Sequence, residues 1–167
     1  MKIADWMKTE LVTVAGETTI EEAINLLVEK RVGTLPVVAA DGRLLGLVTM
    51  KRILKQFLPD FFDLKMNIDH IEDFGAMELP SRERQALMSR QVAGVMERNP
   101  VTVSTECTVF SAVNIMSRHN IYDLLIADKG FLKGLVSTVD LGVAFLHWIK
   151  SSAELSEKES SSPQDDD

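Results

Sequence analysis

A chain of 167 residues with 46% hydrophobic residues is long and apolar enough to bury the core of one globular domain. No apolar run approaches the roughly 20 residues of a membrane span, so no membrane-spanning helix is expected. The net charge is −7, and residues 151–167 hold six acidic residues against one lysine, so neither body nor tail has the basic surplus of a nucleic-acid binder.

The first predicted element is a strand, Leu11–Val14. A helix follows, and both Thr18-x-x-Glu21 and Thr19-x-x-Glu22 offer a capping box for its start. Ile20, Ala23, Ile24, Leu27 and Val28 then recur at the spacing of a buried helical stripe. Two apolar runs, Leu35–Ala39 and Leu44–Val48, flank the turn residues Asp41-Gly42 and read as a hairpin. Thr49 caps a last helix whose apolar residues are Ile53, Leu54, Phe57 and Leu58.

Pro59–Gln91 is longer than an ordinary connection. Apolar Phe61, Phe62, Leu64, Met66, Ile68, Ile71 and Phe74 make it a packed accessory segment, with a ligand or partner lid as the alternative. Ser81–Arg90 suits a short helix.

The same order then recurs. Met96 matches Met7, Val101-Thr102-Val103 matches Val12-Thr13-Val14, and Ala112 matches Ala23. The register holds to Leu35 and Leu124, loses one residue near Asp128, and resumes at Gly46-Leu47-Val48-Thr49 and Gly134-Leu135-Val136-Ser137. Val109, Ala112, Val113 and Met116 repeat the helical stripe, and Leu124–Ala127, Lys129-Gly130 and Phe131–Val136 repeat the hairpin. The expected fold is α+β with alternating α/β order. Two β-α-β-β-α units pack about a pseudo-two-fold axis, joined by a partly helical segment. The divisions are 1–58, 59–91, 92–150 and an acidic tail at 151–167 that reads as disordered.

That unit order, with Arg31-Val32-Gly33-Thr34-Leu35-Pro36-Val37-Val38 and Gly46-Leu47-Val48-Thr49, closely resembles the CBS (cystathionine β-synthase) domain. Two in tandem resemble a CBS pair, or Bateman module, over the whole chain except the middle segment and the tail. The resemblance implies a regulatory module that binds AMP, ADP, ATP or S-adenosylmethionine between its repeats. It also implies a flat homodimer that signals through an effector protein.

The family's ligand motif, Gly-h-h-(Ser/Thr)-x-x-Asp with h apolar, is whole in Gly134-Leu135-Val136-Ser137-Thr138-Val139-Asp140. An ionised carboxylate can accept hydrogen bonds from both ribose hydroxyls, and a helix start favours a phosphate. Ser at the N-cap and Asp three residues on also stabilise a helix with no ligand at all. By resemblance, Asp140, Ser137 and Thr138 share a cleft with Val12, Val32, Gly33 and Thr34. The valines would flank the adenine unless they are ordinary core.

The first repeat departs from the motif, since Arg52 stands where the Asp should be. Arginine accepts no hydrogen bond. It would pair with an acidic neighbour, reach a phosphate, or block the site. The opposite cleft, with Thr49, Arg52, Val101, Ile121 and Tyr122, therefore reads as degenerate. Leu125 in place of the usual Pro, and the charge of Asp123, add to that reading. The alternative function is a dimerisation or protein-interaction module with degenerate ligand sites.

His70, His119 and His147 fall in no metal-ligand spacing, and the chain has no P-loop, zinc pattern or nucleophile elbow. Neither a metal site nor catalysis is expected. Cys107 has no partner for an internal disulfide, and Met1–Trp6 has no apolar signal core, which together suggest a reducing cytoplasm. Cys107 is placed at a helix start, where its thiol pKa could fall. Trp6 and Trp148 are candidate surface anchors or core residues.

Overall fold

The computed structural model describes residues 1–57 and 80–160. The apolar run between Phe61 and Phe74, Leu58, His70 and residues 161–167 lie outside the described residues.

The described residues form two units that do not coincide with the two sequence repeats. The first is drawn from Val12–Pro100 with Gly130–Leu132; the second from Met1–Leu11, Val101–Lys129 and Lys133 onward. Each repeat's opening segment therefore packs in the unit built mainly from the other repeat.

In the first unit, α1 (Ile20–Lys30) starts at Thr19, not Thr18. The Thr19 Oγ accepts from Glu22 N at 3.2 Å, and the Glu22 carboxylate accepts from Thr19 N at 2.8 Å. Two orphan donors of the first turn are thus satisfied reciprocally. Ile20, Ala23 and Leu27 are buried with Leu35, Val37, Val48, Ile53, Val92 and Val95. Val28, read as part of this stripe, is instead 63% exposed. The apolar arc of the helix is wider than the face its own core covers.

β1 (Thr34–Val38) pairs antiparallel with β2 (Leu44–Thr49), then α2 (Met50–Phe57) follows. The predicted strand Leu11–Val14 shrinks to a single parallel bridge, Val14 to Val37. Val14 N donates to Pro36 O at 3.0 Å and Val38 N donates to Val14 O at 2.9 Å. Pro36 has no N–H to extend that ladder. In the second repeat Leu125 replaces Pro36, and β3 (Thr102–Val103) pairs with β4 (Asp123–Asp128) through both Thr102–Leu125 and Val103–Ile126. α3 (Ser81–Met88) forms where the sequence predicts a helix.

In the second unit, α4 (Val109–His119) is capped by Thr108, whose Oγ accepts from Ser111 N at 3.1 Å. β5 (Phe131–Ser137) completes a sheet of order β3-β4-β5. Lys129 (φ 52°) and Gly130 (φ 83°) are the two residues between β4 and β5. Positive φ at both matches the type I′ turn that suits a twisted hairpin. Ile3, Val109, Ala112, Met116, Leu124, Ile126, Val136, Leu141 and Ala144 form the core. Val113, expected in the stripe, is 47% exposed.

α5 (Thr138–Ser160) corrects the reading of 151–167 as wholly disordered, since the helix runs through Ser160. Residues 151–158 include Ala, Glu, Leu and Lys, all good helix formers. Extending a nucleated helix is far easier than starting one.

Candidate functional site

The start of α5 gathers the residues of the motif. Ser137 ends β5 and Thr138 opens the helix. Asp140 Oδ2 accepts from Ser137 N at 2.8 Å and from Ser137 Oγ at 2.6 Å. Asp140 N donates back to Ser137 Oγ at 3.3 Å. The arrangement is a capping box with Asp in the Glu position. Thr138 anchors the helix sideways: its N donates to Tyr122 O at 2.9 Å and its Oγ1 to the same oxygen at 3.2 Å.

A residue absent from the sequence reading completes this site. Lys8 Nζ lies 3.1 Å from Asp140 Oδ2. Lys8 is held there by its backbone, which pairs with Leu135: Lys8 N donates to Leu135 O at 2.9 Å and Leu135 N to Lys8 O at 3.0 Å. The Lys8 side chain is 60% exposed and that of Asp140 only 19%. Burial pushes the Asp140 carboxyl up. The Ser137 hydroxyl and backbone bonds, then the Lys8 bond and charge, outweigh burial and hold it below the ordinary carboxylate value. Asp140 is therefore an anion near neutral pH.

The close approach of Lys8 depends on Gly134. A Cβ there would stand 2.7 Å from Met7 Sδ and 2.8 Å from Lys8 O. Gly46 does the same in the first unit, where a Cβ would stand 2.6 Å from Glu97 O.

The first unit carries the counterpart helix start. Arg52 N donates to Thr49 Oγ1 at 3.2 Å, and Met50 N donates to Gly33 O at 2.9 Å. The Arg52 guanidinium Nε donates to the Val95 carbonyl at 2.7 Å, within its own unit. Val12 and Val32 are half-buried against the first core, Gly33 is exposed and Thr34 is buried. In the second unit, Val101 and Ile121 pack against the core while Tyr122 is 74% exposed. Leu125 is buried. The two expected clefts each combine residues of both units.

The second unit also carries an open apolar groove of about 600 Å³ between α4 and α5, lined by Phe110, Val113, Met116, Leu141 and Phe145 among others. Phe110, Phe145 and Trp148 make an aromatic cluster with ring centroids 5.7–6.1 Å apart. All three are exposed, as are Val139, Val143, Leu146 and Ile149. Trp6 instead packs inward on the core, its ring 5.5 Å from His147.

Cys107 precedes the α4 cap, and burial pushes its thiol up, away from the reactive range. Among the described residues, no group of three or more His, Cys, Asp or Glu is placed to hold a metal ion, and no helix is long and apolar enough to cross a membrane.

Residues 3–59 and 92–145 both match the CBS domain. The chain belongs to the CBS domain family. A CBS domain-containing protein of Dictyostelium discoideum is 31% identical over 136 residues, covering 81% of this chain and 84% of the relative. The CBS domain-containing protein YhcV of Bacillus subtilis (strain 168) is 28% identical over 141 residues, covering 84% and 83%. The fold is that of solved CBS pairs. CBSX2, crystallised in complex with AMP, superposes with a TM-score of 0.67 at 21% identity, covering 87% of this chain and 96% of that one. The CBS domain pair of MJ0100, in complex with 5′-methylthioadenosine and S-adenosyl-L-methionine, gives 0.63 at 20% identity, covering 87% and 99%. No catalytic family is indicated by these matches.

Proposed function

We propose that this CBS pair is a non-catalytic, cytoplasmic regulatory module that binds an adenosine-containing ligand. Candidate ligands are AMP, ADP, ATP and S-adenosylmethionine. The observation that carries the reading is Asp140, an ionised and mostly buried carboxylate pre-positioned by Ser137 at the start of α5. In this reading the ribose hydroxyls donate to Asp140, and Ser137 and Thr138 border the ligand's 5′ side. Val12, Val32, Gly33 and Thr34 complete the cleft around the adenine. The cleft of Thr49, Arg52, Val101, Ile121 and Tyr122 stays degenerate, since Arg52 offers no acceptor and its Nε is already committed to Val95. Bound ligand shifts a partner only through its preference between two arrangements of the module. The output passes to an effector protein or through a homodimer, whose contact face we assign to the exposed aromatics of α4 and α5.

That same aromatic face favours the second reading, a dimerisation module without ligand. Calorimetric titration with AMP, ADP, ATP and S-adenosylmethionine separates the two. Binding by the native chain that weakens about tenfold or more in Asp140→Ala is expected, from loss of charge-assisted bonds of about 1.5–3 kcal/mol. No binding of any of the four by folded protein would leave dimerisation as the better account.

A further inference from the structure

Lys8 and Asp140 each have other partners besides the ion pair between them. Lys8 is held to β5 by main-chain bonds to Leu135, and Asp140 is held by Ser137. All three contacts to the carboxylate fall on one oxygen, Oδ2. The ammonium nevertheless reaches across to that oxygen at 3.1 Å, from a side chain that is 60% exposed. The first repeat offers a contrasting case, where the Arg52 Nε donates to the Val95 carbonyl at 2.7 Å. The positions matching Lys8 and Asp140 hold Glu97 and Arg52, an acid and a base with their signs exchanged.

We propose that Lys8 is the internal counter-ion of the ligand carboxylate and selects adenosine ligands with an anionic 5′ group. The inference rests on the ribose reading of Asp140. A ribose seated on Asp140 competes with Lys8 for the carboxylate, and the released ammonium sits on a flexible four-carbon stem beside the ligand. A 5′-phosphate gives it a new partner, so one ion pair is exchanged for another. Unphosphorylated adenosine leaves the ammonium unpaired, and the sulfonium of S-adenosylmethionine places a second cation near it. The ligand class is therefore an adenine nucleotide. Lysine suits this exchange because it is a mobile point charge with rotatable donors.

The test is calorimetric titration of AMP, adenosine and S-adenosylmethionine into the native chain, Lys8→Met and Lys8→Arg. Methionine keeps the stem and the backbone pairing to Leu135 while removing the charge. The native chain is expected to prefer AMP to adenosine by about tenfold, the effect of one charge-assisted bond. The preference should collapse toward equality in Lys8→Met, with adenosine binding unchanged or tighter, and persist in Lys8→Arg. It should also shrink as salt concentration rises. An AMP-to-adenosine ratio in Lys8→Met equal to the native one would overturn the role of Lys8 while leaving the adenosine reading intact. Tighter binding of adenosine or S-adenosylmethionine than AMP by the native chain would do the same. Failure of all three to bind the native chain overturns the adenosine reading itself, and this inference with it.

Discussion

Gly134 is the position where a single methyl group should do the most damage to the site. An alanine Cβ would stand 2.8 Å from the Lys8 carbonyl oxygen, 2.7 Å from Met7 Sδ and 3.0 Å from Met7 Cγ. The methionine side chain can swing away, but the Lys8 carbonyl is main chain and can move only by lifting the segment from β5. That motion strains the two Lys8–Leu135 hydrogen bonds, now 2.9 and 3.0 Å. Overpacking of this kind costs about 1–3 kcal/mol, and each net backbone bond about 0.5–1.5 kcal/mol. Both terms describe one displacement, so they do not add fully, and about 2–3 kcal/mol is expected. For a chain of this size that lowers Tm by roughly 4–12 °C. Thermal unfolding of native protein, Gly134→Ala, Met7→Ala and the double variant measures it. Because the carbonyl clash survives removal of Met7, Gly134→Ala should keep more than half of its cost in the Met7→Ala background. A Gly134→Ala chain with native Tm, or one whose cost vanishes without the Met7 side chain, would refute the argument.

Two further outcomes follow from the same geometry. Asp140 titrates below its ordinary value in the folded chain. Its contribution is therefore complete above the unfolded pKa of about 3.9 and lost as pH falls through the folded value. The stability gap between native protein and Asp140→Asn should stay constant near neutrality and close below about pH 4; a gap that widens in acid contradicts the assignment. The exposed aromatics of α4 and α5 should mediate self-association, and truncating an aromatic hot spot at an interface costs about 2 kcal/mol or more. Sedimentation equilibrium should show a native dimer and a monomeric, still folded, Phe110→Ser/Trp148→Ser chain; a native monomer would reject this face.

The element order was legible because periodicity and turn residues are local signals. The choice between Thr18 and Thr19 was not, since both carry the same capping pattern. It is settled by the opening segment of the second repeat, where Ile20 N donates to Arg90 O and Val92 N donates to Thr18 O, each at 2.8 Å. The exchange of opening segments between units is invisible for the same reason: a repeat in sequence records similarity, not which copies touch. Val28 and Val113 show the limit of periodicity, which finds an apolar stripe but not how much of it the core covers. Lys8 was missed because a lysine in a polar stretch carries no signal by itself. Its place at the site follows only from the main-chain bonds to Leu135 that bring its ammonium to Asp140.

The contrast between the two helix starts separates what the fold requires from what a ligand requires. Thr49 and Ser137 do the same structural work, each accepting the N–H three residues on, at 3.2 and 3.3 Å. The fourth residue is free to differ. An arginine there is disfavoured by the helix dipole, and its guanidinium escapes to the Val95 carbonyl 2.7 Å away. An aspartate there is favoured by the dipole and closes the box on Ser137. Both solutions give a helix at the same place in the repeat, so the scaffold accepts either charge. Only the carboxylate can accept hydrogen bonds from a pair of hydroxyls. What distinguishes the second repeat is therefore not its ability to fold but an acceptor held ready at a helix start, with a lysine in place to balance its charge.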